Sequence, residues 1–253
     1  MTTNTNEIEL QRSYYARTAG DYEDLHVHQD DEHYFALAWL VSIISHYGFC
    51  SVLDVGSGTG RCLSYLKSKL PGLHVVGIEP SLELRKVGHD AGLSTAELIE
   101  GDATNLAFAD NSFDVVCEFG VLHHIKHPRQ AVAEMLRVTK GGIFISDDNH
   151  FACGSLGNRV SKRFLNNVGL WKFAYSLRTG GKGYRISQGD GLSYPYSVFD
   201  DIGFIREQCN GVHVMNTKGD GANLHFNAPN VALFGRKRHA FPSEQAGDKN
   251  AID

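Results

Sequence analysis

The residues best suited to chemistry lie in one stretch, Val52-Leu-Asp-Val-Gly-Ser-Gly-Thr-Gly-Arg61. A short apolar run, Ser51 to Val55, leads into Gly56, Ser57, Gly58 and Gly60. Glycines let a backbone approach a ligand closely and take positive φ. A dinucleotide site would use GxGxxG spacing, with a pyrophosphate on the following helix N-terminus. Here Arg61 stands where the third glycine of that pattern belongs, and Asp54 precedes the turn. A carboxylate there repels a pyrophosphate and suits a ligand that carries an amino group.

Two further acids follow at matching places. Glu79, next to Pro80, ends the apolar run His74 to Ile78, where an acid accepts bonds from ribose hydroxyls. Asp102 and Ala103 follow Leu98-Ile99, where a carboxylate can accept from the exocyclic amine of an adenine. Such acids, at three successive strand ends, would line the carboxyl edge of a parallel sheet, the usual ligand edge of α/β folds. His123 and His124 come after the next run, Phe113 to Cys117. Imidazole titrates near neutrality, so both are candidates to take a proton from an acceptor. Adjacent residues face different ways, so at most one of the two is expected to reach it. Asp147, Asp148, Asn149 and His150 follow the fifth run, Gly142 to Ser146. These types favour capping and loop solvation; Asn149 is kept as a candidate acceptor contact. His26 to His33 holds metal-ligand types at a spacing that fits no familiar site. It reads as a solvated lid loop, and no metal site is expected.

These residues need a scaffold, and the pattern supplies one. Helices are expected over 7–18, 32–47, 59–70, 81–90 and 129–139, alternating with the five short apolar runs. That alternation means βαβ units and a parallel sheet with helices on both faces. From His150 to about Tyr194 it lapses into an insertion with one or two helices. Ile205 to Met215 and Asn230 to Gly235 then read as two closing strands. The expected architecture is a Rossmann-like, mostly parallel seven-stranded α/β sheet with an inserted helical cap. By residue, the expected parts are an N-terminal helical lid at 1–48, a core at 49–150, a cap at 151–200, the end of the sheet at 201–238 and a flexible tail at 239–253.

In motif order and spacing the chain resembles the class I S-adenosylmethionine-dependent methyltransferases, within them the small-molecule group. The resemblance runs from about Tyr14 to Phe151, and more weakly to Arg236. It implies S-adenosylmethionine as cofactor, with Asp54, Gly56, Ser57, Gly58 and Gly60 around its methionine part. Glu79 and Pro80 would meet the ribose, and Asp102 and Ala103 the adenine. The family's motif ending in histidine is matched by Phe119-Gly-Val-Leu-His-His-Ile125, which adds Glu118 and Phe119 to the cofactor set. Tyr15, Ala19 and Tyr22 match the N-terminal segment that folds over the cofactor, with Glu23 where aspartate is more usual. The implied activity is methyl transfer to an O, N or C atom of a small organic acceptor. A macromolecular acceptor (RNA or protein) and cofactor binding without turnover are the alternatives.

Composition bounds the rest. The 253 residues are 42% hydrophobic and 21% charged, which fits a folded globular chain. The net charge of −5 gives no general attraction to nucleic acid or anionic membrane, and neither is expected as a partner. No leader or bilayer-length apolar stretch is read, the five cysteines are scattered, and a reducing cytoplasm is the expectation. One span departs from the average. Between Phe151 and Gly189 lie Arg159, Lys162, Arg163, Lys172, Arg178, Lys182 and Arg185, with no Asp or Glu. Arg178, Arg185 and Tyr194 are the expected acceptor contacts there, the arginines toward an acidic group. The oligomeric state is not legible.

Overall fold

The computed structural model describes residues 10–11, 13–15, 17–18, 31–187, 190–219 and 221–238. The expectations at Ala19, Tyr22, Glu23, His26, His28 and the tail lie outside these residues. Helix α1 (Glu32–Tyr47) opens on Asp31, whose carboxylate accepts from the Tyr34 N–H at 2.6 Å. The alternation then follows as β1 (Ser51–Val55), α2 (Arg61–Lys69), β2 (His74–Ile78), α3 (Leu82–Asp90), β3 (Leu98–Ile99), β4 (Phe113–Phe119), α4 (Pro128–Val138) and β5 (Thr139–Asp148). Ser81 caps α3 as its sequence position suggests, its hydroxyl accepting from the Leu84 N–H.

The insertion holds helices α5 (Leu156–Asn167) and α6 (Trp171–Arg178), then a hairpin of β6 (Arg185–Ser187) and β7 (Gly191–Ser193). Helix α7 (Val198–Gln208) leads into β8 (Cys209–Asn216), and β9 (Asn230–Lys237) closes the sheet. The sheet has seven strands in the order β3-β2-β1-β4-β5-β9-β8. β1 to β5 run parallel, and β9 lies antiparallel between β5 and β8.

Each parallel strand is apolar on both faces because helices cover both. On one side Leu37, Leu40 and Ile44 of α1 and Leu63 of α2 pack on Val52, Val115 and Phe144. On the other, Val132 and Met135 of α4 and Ile205 of α7 pack on Leu53, Val116 and Ile143. One expectation is corrected here: Ile205 to Gln208 finish α7 and are not strand. A capping box fixes the start of that helix, with the Ser197 hydroxyl and the Asp200 carboxylate each accepting from the other residue's backbone region. Among the described residues no helix is long and apolar enough to cross a membrane.

Candidate active site

The parallel strands end along one edge, and a cavity of about 310 Å³ lies there. Gly56 and Gly58 floor it, in the turn between β1 and α2. Gly56 has φ +72°, and a Cβ there would meet the Val121 side chain at 2.5 Å. A glycine is therefore required both for the turn and for the space. Glu79 and Pro80 at the end of β2, and Asp102 and Ala103 after β3, form one end of the cavity. Phe119, Gly120 and Val121 form its middle, and His124, Leu192, Tyr194, Gln11 and Tyr15 its other end. Six chain segments thus meet over one space.

The acids around this space are held in different ways. Glu79 is buried, and its two carboxylate oxygens accept from the Gly58 N–H at 3.1 Å and the Ser81 N–H at 2.8 Å. Burial outweighs these bonds and lifts its carboxyl to about 7. Asp54 lies beneath the glycine turn, 2% exposed, and burial raises it to about 6. Glu118 is fully buried, and burial together with the charge of Asp147 lifts it well above the ordinary carboxylate range. Among the described residues its Oε1 has no hydrogen-bond partner, nor does the buried Thr59 Oγ1 in the glycine turn. Asp102 is exposed and accepts from the Thr104 N–H and hydroxyl at 2.8 and 2.7 Å.

The two histidines occupy a short 3-10 turn, Leu122–His124, that follows β4. Asp147, at the end of β5, anchors this turn. Its Oδ2 accepts from the Leu122 and His123 N–H groups at 2.7 and 3.3 Å, and its Oδ1 lies 2.6 Å from His123 Nδ1. Asp190, before β7, approaches the other ring nitrogen of His123 at 3.5 Å. Burial alone would lower the His123 pKa, but the two carboxylates outweigh it and raise it well above the usual value. His123 is therefore held as an imidazolium between carboxylates. His124 Nδ1 lies 2.6 Å from the Leu192 carbonyl, an acceptor, so this nitrogen carries the proton. The Tyr194 N–H donates to the His123 carbonyl at 2.7 Å, which docks β7 onto the turn.

Of the sequence expectations, Tyr15, Gly56, Gly58, Glu79, Pro80, Asp102, Ala103, Phe119, His124 and Tyr194 line the cavity. Asp54, Ser57 and Glu118 are buried in the layer from which these residues project, and Gly60 caps α2 with φ +84°. Three acceptor expectations are corrected. Asn149 is buried and fully engaged, donating to the Leu224 and Ala228 carbonyls and accepting from the Ser197 hydroxyl. Arg178 and Arg185 do not line the cavity, and Arg185 lies over the Tyr175 ring at 5.6 Å. Asp147 is not a solvated loop residue, since it has no exposed surface. The reading of His33 as part of a solvated loop is also corrected. It sits in the first turn of α1, with Nδ1 3.0 Å from Ser146 Oγ.

Sequence reasoning passed over Gln11, Leu192 and Asp190. Gln11 Oε1 accepts from the Leu192 N–H at 2.6 Å, a contact between residues 181 positions apart that no local pattern announces. Among the described residues, two clusters bring three metal-type donors within 4.8 Å of one another: Asp54 with Cys62 and Cys117, and His123 with His124 and Asp190. In the first, burial pushes the Cys62 thiol up to about 11, so without a metal it stays protonated. In the second, Asp190 balances the imidazolium charge described above.

A family model described as a methyltransferase domain matches residues 53–146. The core of this chain is a methyltransferase domain. That domain spans β1 to β5 and carries the glycine turn, all three strand-end acids and both histidines. Demethylmenaquinone methyltransferase from Renibacterium salmoninarum is 46% identical over 91 residues, 36% of this chain and 37% of that protein. Demethylmenaquinone methyltransferase from Paenarthrobacter aurescens is 43% identical over 102 residues, 39% of each chain. The chain therefore matches less than two fifths of these relatives' length. Among solved structures, magnesium protoporphyrin IX methyltransferase from Synechocystis PCC 6803, with bound SAH, aligns over 91% of this chain and 99% of that one. The TM-score is 0.57 at 15% identity, a likeness of fold. The PH0226 protein from Pyrococcus horikoshii OT3 aligns over 89% and 99%, with a TM-score of 0.55 at 17% identity. The likeness of fold thus extends well beyond the matched core.

Proposed function

We propose that the chain binds S-adenosylmethionine in this cavity and transfers a methyl group to an O, N or C atom of a small organic acceptor. One observation carries the reading. A single cavity runs from Glu79 and Asp102, past the glycine turn, to His124. The residues fit the cofactor on other grounds too. Buried Asp54 and Glu118, both raised, would gain a cationic partner from an amino group. The unpartnered Glu118 Oε1 and Thr59 Oγ1 are polar atoms that a ligand could satisfy. Glu79 would accept from ribose hydroxyls and Asp102 from the adenine amine. SAH in a fold neighbour supports the cofactor, and the names of the two relatives support a small, apolar acceptor.

The bound cofactor would supply an activated sulfonium methyl, so the protein's task is to hold an acceptor in line and to manage its proton. The carboxylates beside His123 favour its protonated form, which makes it the poorer candidate to take that proton. His124 lines the cavity; its Nδ1 faces the Leu192 carbonyl and its Nε2 lies 3.4 Å from Asp190 Oδ1, so this imidazole together with the Asp190 carboxylate is the pair placed to take the proton. Asp147 and Leu192 are positioning groups for the two histidines. Calorimetry with S-adenosylmethionine, followed by label transfer from its methyl group into a fractionated extract, tests the proposal. Label in small molecules is the expected result. Label in RNA or protein would move the acceptor to a macromolecule, and NAD binding without S-adenosylmethionine binding would overturn the reading.

A further inference from the structure

The cap inverts the usual order of a surface helix. In α5, Leu156, Val160 and Phe164 recur at a spacing of four and face outward, Phe164 being 65% exposed. Lys162 of the same helix points inward, 4% exposed, with its ammonium bonded to the His150 and Cys153 carbonyls. In α6, Trp171 and Tyr175 pack down beside Phe151, while Phe173 and Leu177 stand outward at 65% and 67% exposure. Val168 and Leu170 between the helices, and Ile186 on the hairpin, are exposed as well. Soluble proteins rarely leave so many large apolar side chains uncovered on adjoining elements, and where they do the surface meets another apolar phase.

Charge states which phase. The span 151–189 holds seven bases and no acid, so it contributes +7 to a chain of net charge −5 and leaves −12 on the remainder. Arg159 and Arg163 are spent on the Phe226 ring and neighbouring carbonyls. Lys172, Arg178, Lys182 and Arg185 are exposed, and among the described residues none of them makes an ion pair. A second copy of the cap would bring +7 against +7 across a two-fold axis, which disfavours self-association. Helices of 12 and 8 residues are also too short to span a bilayer. An apolar face flanked by bases is the pattern of helices that lie in a lipid interface.

We infer that α5 and α6 dock this protein on an anionic lipid surface, with Leu156, Val160, Phe164, Phe173 and Leu177 entering the interface. The bases contact the lipid headgroups, and the acidic remainder of the chain is turned away from the membrane. This reverses the partner expectation drawn from whole-chain charge. It deepens the methyl-transfer reading and rests on it for one point only: a docked cap would admit lipid-soluble acceptors. The hairpin connects the two, because the Tyr184 ring on the cap side lies 6.0 Å from that of Tyr194 in the cavity wall.

The test is co-sedimentation of the full chain with phosphatidylcholine vesicles, with and without phosphatidylglycerol. Binding is expected to the anionic vesicles alone and to weaken as salt rises. Phe164→Glu combined with Phe173→Glu should weaken it at least about tenfold, and Lys172→Gln with Arg178→Gln and Lys182→Gln should do the same without touching any apolar group. S-adenosylmethionine affinity by calorimetry should stay at the parent value in both variants. That readout separates failure of the docking face from failure of the cofactor reading. Absence of vesicle binding, equal binding to neutral vesicles, or a monomer–dimer equilibrium abolished by the Phe164→Glu pair would each overturn the inference.

Discussion

The strand-end edge and the helical cap solve opposite problems with the same residue types. At the edge, charged groups are buried and apolar groups form the sheet beneath them: Asp54, Glu79, Glu118 and Asp147 are each at most 5% exposed. On the cap, apolar groups are exposed and a lysine is buried. A buried acid without a full set of partners is a demand for a ligand, since its desolvation is uncompensated. An exposed phenylalanine without a cover is a demand for an apolar phase. The comparison teaches that burial and exposure are inverted at the two ends, which is why the proposed partners differ: a small polar ligand for one and an extended surface for the other.

The strongest way to break the comparison is at the histidine turn. His124→Ala should lower kcat by about 10²–10⁴ with cofactor saturated, and flatten the acidic limb of the pH–rate profile. Retained kcat would leave proton removal to another group. Asp147→Asn removes the carboxylate from a buried imidazolium, and loss of one partner of a buried pair costs about 3–5 kcal/mol. A melting temperature unchanged from the parent would mean that the turn does not depend on this pair.

The cofactor end is tested next. Glu79→Ala should weaken S-adenosylmethionine binding by about 1–3 kcal/mol in calorimetry, the scale for losing charged hydrogen bonds. Parent-like affinity would remove Glu79 from the site. Asp54 and Glu79 also set a pH dependence. Their folded pKa values, about 6 and about 7, exceed the usual 3.8 and 4.5. The folded state therefore holds more protons than the unfolded one between about pH 4 and pH 7, and stability falls as pH rises through that window. Thermal melts of the ligand-free protein should decline across it, and Glu79→Gln should flatten the decline. The smallest effect is expected at Arg178→Gln with Arg185→Gln, which should leave the KM for a water-soluble acceptor within about twofold, because neither side chain lines the cavity. A large rise in KM would bring the cap's arginines back to the acceptor.

The edge was legible because its signals are local. A strand, a glycine turn and an acid at a fixed offset place Asp54, Gly56 and Glu79 without any knowledge of distant contacts. Helix α7 was half missed because Ile205 to Met215 alternates like a strand, although the Ser197–Asp200 capping box marked a helix start. Asp147 was read as a loop residue because sequence does not record that the strand end is covered by the 122–124 turn. Arg178 and Arg185 were drawn toward the acceptor by the segment's charge and by their places flanking the glycine-rich turn 180–183, since the outward direction of their helix and hairpin is set by how Trp171 and Tyr175 pack.

The bond from Gln11 to Leu192 has a consequence for the order of assembly. It closes a loop of 181 residues, and the entropy lost in bringing chain ends together grows with the logarithm of the loop. Contacts of such separation are made late in folding, after the nearer strand pairs are in place. Gly191 tightens the same junction: it has φ +66°, and a Cβ there would lie 2.6 Å from the Gln11 side chain and 2.8 Å from the Tyr14 ring. The sheet can therefore be complete while the roof is still apart, so a ligand can reach a finished floor before the chain closes over it. The same seam, resting on Gln11 and Leu192 and not on the strand pairs, could part without disturbing the sheet.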